Sequence, residues 1–100
     1  MTKDNYVTEV IFRKFKDGDV IALFPYQIET NDGHVMSYMH IGQHGGATLD
    51  LINITKLASP EEYSDLLIEL ESIGYNLKIM QKVNRRKYVD AVHDLYLKHK

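Results

Sequence analysis

The sequence predicts an α+β domain: an antiparallel three- to five-stranded sheet with two helices, in the order β-β-β-(β)-α-β-α. Three observations carry this. Apolar, aromatic and β-branched residues come in short runs through the first half, the apolar period becomes three and four after Ser59, and reversal signals at Asp17-Gly18, Asn31-Asp32-Gly33 and Gly74 divide the runs. One hundred residues suffice for one core and are short for two, so a single domain over 1–100 is expected, with residues 1–6 flexible. A composition 44% hydrophobic and 26% charged belongs to a folding chain and not to a disordered one.

The strands follow in order. From Glu9 to Tyr26, EVIFRKF and VIALFPY flank KDGD, whose Asp17-Gly18 tolerates positive φ and suits a tight hairpin. Pro25 is expected to end the second strand or to lie at an edge, because it donates no ladder hydrogen bond. Val35 to Ile41 reads as the third strand, with Met36, Tyr38 and His40 on one face and Val35, Ser37, Met39 and Ile41 on the other. Met39 to Ala47, MHIGQHGGA, then reads as a glycine loop, and Leu49 to Ile54 as the optional fourth strand.

The helices are marked more sharply. Ser59-Pro60-Glu61-Glu62 offers an N-cap, a proline at the first helical position and a capping-box glutamate. Tyr63, Leu66, Leu67, Leu70 and Ile73 form its apolar stripe, and Gly74 is a natural stop beside which Tyr75 and Leu70 pack. Tyr75 to Val83 returns to period two as a strand. Asn84 then caps a last helix whose stripe is Tyr88, Val89, Val92, Leu95 and Tyr96. Helices on one side of the sheet only would leave the other face, rich in aromatic and methionine side chains, to be covered by a second copy.

Composition also narrows the chemistry. Without cysteine there are no disulfides, thiolates or Cys-based metal sites. MTKDNYVTE lacks the apolar region of a secretory signal, and no apolar run approaches the roughly 18 residues of a membrane span, so a cytoplasmic protein without membrane contact is expected. The small net charge of −2 conceals a division. Residues 1–74 hold five basic against twelve acidic side chains, a net of −7, whereas residues 75–100 hold seven against two, a net of +5. Such a division fits an acidic partner, phosphates, or the acidic part of a second copy.

Two groups of side chains are candidate sites. The first is the segment around His40, Gln43, His44, Gly45 and Gly46, with Asp50 beyond it: titratable groups beside glycines, a ligand or partner loop in this reading. His40, His44 and Asp50 are conceivable metal ligands or acid–base groups, and the glycines a conceivable anion nest. Against a metal, His34 and His40 lie about 20 Å apart along an extended strand, and no four-ligand signature is present. No nucleophile elbow, HExxH or phosphate loop occurs, so neither an enzyme nor a cofactor is expected. The second group is Lys78, Lys82, Arg85, Arg86 and Lys87, a basic surface for nucleic acid or an acidic partner. Its three central cations sit in the first turn of the last helix, where the dipole disfavours them, and Tyr75 and Tyr88 flank them as stacking groups. Ion pairing with Glu61, Glu62, Asp65, Glu69 or Glu71 is the more ordinary use for such a cluster.

EVIFRKFKDGDVIALFPY, SYMHIGQHGGA and SPEEYSDLLIELESIGYNLKI together resemble small uncharacterised proteins of gut Bacteroidetes and their phages or mobile elements, over about Thr8 to Ile79. The resemblance implies a cytoplasmic accessory protein that modulates a host or element-encoded partner, and transfers no catalytic role. The expected function is a small accessory or regulatory binding protein working through protein–protein contacts, self-association among them. A nucleic-acid-associated regulator using Lys78 to Lys87 is the alternative, and a His-centred metal protein or enzyme the third.

Overall fold

The computed structural model describes residues 7–29, 34–39 and 43–98. β1 (Thr8–Lys14), β2 (Val20–Ile28), β3 (Val35–Met39) and β4 (Gln43–Ala47) lie side by side and antiparallel. The far edge of β1 is shared by two short strands. β5 (Lys56–Leu57) runs antiparallel to its end and β6 (Leu77–Met80) parallel to its beginning. A 3-10 helix (Leu49–Ile54) joins β4 to β5, α1 (Pro60–Ser72) leads into β6, and α2 (Arg85–Lys98) follows it. The α+β class and largely antiparallel sheet match the sequence reading; the sheet reaches six strands when the two-residue β5 is counted. The expected flexibility of residues 1–6 and the reversal at Asn31-Asp32-Gly33 lie outside the described residues.

The β1–β2 turn closes as its residues dictate. Gly18 takes φ 98°, its N–H donates to the Phe15 carbonyl at 2.9 Å, and Asp17 Oδ1 accepts the Asp19 N–H at 3.0 Å. Pro25 departs from expectation. It is buried within β2, between two neighbouring strands, and the chain absorbs its missing donor as a register shift against β3 between Phe24 and Ile28.

The fourth strand is also displaced. The glycine segment itself forms β4, hairpin partner of β3, with Ser37 Oγ donating to the Gly45 carbonyl at 2.8 Å. Leu49 to Ile54, read as a strand, winds into the 3-10 helix because Leu49 and Ile52, three apart, fall on one side of a three-residue turn and both pack on the sheet. The Arg13 guanidinium fastens its end, donating to the Ile52 carbonyl at 2.9 Å, the Thr55 carbonyl at 2.6 Å and Thr55 Oγ1 at 3.0 Å. Three carbonyl and hydroxyl acceptors that a helix end leaves open are thereby satisfied.

Both sheet faces carry helical cover, which corrects the one-sided arrangement expected. On the first, Val10, Phe12, Ala22, Phe24 and Tyr38 pack against Leu66 and Leu70 of α1. Phe12 stacks on Tyr63 with ring centroids 4.4 Å apart, and Phe24 on Tyr75 at 5.3 Å. On the second, Ile21, Leu23, Val35 and Ala47 meet Leu49, Leu51 and Ile52 of the 3-10 helix and Tyr88 of α2. The alternation of Met36 and Tyr38 against Val35 and Met39 is the one read from β3.

Both ends of α1 are closed. The Ser59 N–H donates to Glu62 Oε1 at 2.9 Å, and Glu62 also pairs with Lys14. At the other end Gly74, at φ 111°, donates to the Glu71 carbonyl and Tyr75 to the Leu70 carbonyl, both at 3.1 Å, the two bonds of a Schellman motif. Ile73, counted in the stripe, is the C-cap residue and points largely to solvent. Among the described residues no helix is long and apolar enough to cross a membrane.

Candidate functional site

The face that carries α2 is the less complete of the two. No residue of the 3-10 helix is buried, and Tyr88, Ala91, Val92 and Leu95, the inward side of α2, are half-buried. Val89, placed in the stripe by sequence, is 56% exposed. Its position follows from the helical angle. Tyr88, Ala91, Val92 and Leu95 centre the inward line, and Val89 lies about 100° from Tyr88 at 3.6 residues per turn. Lys87 fixes that rotation: its ammonium pairs with Glu9 on β1 and stands 4.7 Å from the centre of the Tyr26 ring.

The start of α2 is tied to the sheet through two residues, Glu9 and Tyr26. Asn84 Oδ1 accepts the Lys87 N–H at 3.1 Å, the cap expected of it. The Asn84 N–H in turn donates to the Tyr26 hydroxyl at 2.8 Å. Tyr26 follows Pro25 in the register shift of β2, so the irregularity at Pro25 aims this tyrosine at the helix. The hydrogen bond that Lys87 donates to Glu9 raises the Lys87 pKa above its ordinary value. Lys87 is thus committed within the fold, and its carboxylate comes from β1 and not from the α1 glutamates, which serve other groups: Glu62 takes Lys14 and Glu69 accepts the Tyr38 hydroxyl.

Beside this anchor, a groove of about 370 Å³ runs between the 3-10 helix and α2. Leu49, Ile52, Val83 and Tyr88 give it an apolar floor, and Asp50 and Arg85 bring opposite charges to it. The structure therefore joins one residue from each candidate group, 35 positions apart in sequence, in a single site. Lys78, Lys82 and Arg86 are exposed nearby in the chain and line no part of that groove.

The remaining candidates are separated from it. Gln43, His44, Gly45 and Gly46 belong to β4 and stand opposite Met39, Tyr38, Ser37 and Met36 of β3. Among the described residues the left-handed glycines are Gly18 and Gly74, so Gly45 and Gly46 do not supply the alternating backbone of an anion nest. A side chain would fit at either: nothing lies within 4 Å of a Cβ on Gly45, and the nearest atom to one on Gly46 is 3.6 Å away. His40 lies outside the described residues, as does the side chain of His44. Among the described residues no three histidine or carboxylate groups converge as a metal site would require.

Sequence reasoning missed Glu9, Tyr26, Leu49 and Ile52 as parts of this face. One signal was available: a proline inside an otherwise continuous strand run points to a bulge, and a bulge redirects the side chain that follows. Compared with known proteins, the chain matches no family model, no curated protein and no solved structure. Function is read from the geometry.

Proposed function

We propose that this chain is a small accessory or regulatory binding protein, acting in the cytoplasm through protein–protein contacts, and that its primary contact is self-association through the α2 face. The observation that carries the proposal is that the inward side of α2 is only half-buried while Val89 and Leu97, on its outward side, are exposed. Completing the burial of such side chains is worth about 1 to 2 kcal/mol each, and a second copy supplies the cover. Charge favours the same occupant. A face that holds both Asp50 and Arg85 is complementary to itself about a two-fold axis, where the Asp50 of each copy meets the Arg85 of the other.

Sedimentation velocity over rising protein concentration tests this. A monomer–dimer equilibrium is expected, weakened by salt through the Asp50–Arg85 contact. A monomer at every concentration overturns self-association.

The nucleic-acid reading retains one supporting observation: Lys78, Lys82, Arg85 and Arg86 are exposed, and none is ion-paired with a described carboxylate. Its weight falls with the commitment of Lys87 to Glu9. Anisotropy of labelled single- and double-stranded oligonucleotides decides it. Saturable binding that survives about 0.15 M salt and disappears on neutralising Arg85 and Arg86 promotes this reading, and binding lost on adding salt removes it.

A further inference from the structure

A larger cleft lies at the end of β1, between the β1–β2 turn and the end of the 3-10 helix, and is lined by neither α2 nor the groove's apolar floor. Its volume is about 850 Å³, within the range of small-molecule sites. Lys14 lines it from the end of β1, Lys16 from the turn and Lys56 from β5, with Asn53 and Thr55 also in its lining. Residues 1–74 contain only five basic side chains in an acidic segment, and four of them gather here: the three lysines line the cleft, and Arg13 is bonded to Thr55 in its wall.

This gathering has a cost. Lys14 and Lys56 are direct partners in the antiparallel β1–β5 ladder, the arrangement in which like charges oppose each other most closely. Glu62 answers Lys14. Among the described residues no carboxylate pairs with Lys16 or Lys56, and Asp17 at the rim accepts the Asp19 N–H within its own turn. An anion between the strands relieves the repulsion that the ladder imposes. Beside the ammonium groups the cleft presents apolar surface, the Phe15 ring and an Ile54 that is 61% exposed.

We infer that this cleft binds a phosphorylated small molecule, with Lys16 and Lys56 holding the phosphates and Phe15 and Ile54 the apolar or aromatic body. Arg13 acts as a positioning residue: by clamping Ile52 and Thr55 it holds the wall carrying Asn53 and Lys56 against β1. The cleft shares only Asn53 with the groove beside α2, and Phe15, Lys16, Ile54 and Lys56 line the cleft alone, so its failure leaves the self-association proposal standing and the reverse also holds.

ATP, adenosine and inorganic phosphate serve as probes, followed by backbone amide resonances of the full chain. Saturable shifts with ATP at Lys16, Asn53 and Lys56 are expected, with affinity about tenfold weaker in the Lys16→Gln, Lys56→Gln double variant. Ile54→Ser, at an exposed position, is expected to weaken ATP and leave inorganic phosphate unchanged. Both variants alter exposed side chains and are checked for an unchanged melting curve. Absence of saturation overturns the inference, as do equal affinity in the double variant, shifts centred on Arg85 and Arg86, or inorganic phosphate binding as tightly as ATP.

Discussion

On one face of the sheet α1 buries Leu66 and Leu70 among stacked aromatic rings, and both helix ends are capped. On the other, α2 sets Tyr88 against Ile21, Leu23 and Val35, its inward side is half-buried, and its first turn is held by polar contacts. The strands supply both faces with apolar side chains, since alternation in β2 and β3 sends Phe24 and Tyr38 one way, with Phe12 of β1, and Ile21, Leu23 and Val35 the other. What differs is the completeness of the cover. α1 buries Leu66 and Leu70 fully and leaves Ile68 and Ile73 exposed, while α2 is anchored by polar contacts at Glu9, Tyr26 and Asn84, has an inward side that is only half-buried, and leaves Val89 and Leu97 exposed. On the proposed self-association, the more closed face serves stability and the more open one the contact.

The sharpest way to break this comparison is to truncate one leucine on each helix. Leu70→Ala removes a fully buried side chain and is expected to cost about 2 to 5 kcal/mol in urea unfolding, whereas Leu95→Ala, half-buried, is expected to cost about 1 kcal/mol. Equal losses would mean that the faces are equally closed. The caps come next. Gly74→Ala forces a Cβ into a left-handed position and is expected to cost about 1 to 2 kcal/mol, against about 1 kcal/mol for Asn84→Ala.

The pH dependence separates the faces further, with smaller effects. Lys14 and the Ser59 N–H hold the Glu62 carboxyl at about 2, below its ordinary 4.5. The folded state therefore favours the ionised form, so this contribution is present above pH 4.5 and disappears as pH falls toward 2. Glu62→Gln is expected to flatten the acid limb of the stability profile. Lys87 is shifted the other way. Its raised pKa makes its contribution complete below 10.5 and lost as pH climbs further, so the protection of amides at the start of α2, taken relative to the base-catalysed rate of the unfolded chain, is expected to fall on the alkaline side and Glu9→Gln to abolish that fall. The Glu62 contact is on the α1 side and the Lys87 contact on the α2 side.

Legibility in the sequence followed the same division. Both α1 caps were readable because Ser59, Pro60, Glu62 and Gly74 act on backbone groups within a few residues. The Asp17-Gly18 hairpin was readable for the same reason. Leu49 to Ile54 was read as a strand because the three-residue spacing of Leu49 and Ile52 is too short a signal by itself, and Arg13, which fastens the end of the turn, is 39 positions from Ile52. The glycine segment was misread because Gly45 and Gly46 adopt ordinary extended backbone, paired to β3 by a register that composition does not display. The basic cluster was visible as charge, but the withdrawal of Lys87 from it required Glu9, 78 positions away.

The most direct test of the open α2 face replaces one exposed apolar residue on each helix, Val89 on α2 and Ile68 on α1, which are 56% and 63% exposed. Val89→Glu and Ile68→Glu place the same charge at matched exposure on opposite faces, and sedimentation velocity reads association in each. Dimer formation lost in Val89→Glu and retained in Ile68→Glu is the predicted result; retention in Val89→Glu, or loss in Ile68→Glu alone, contradicts the account.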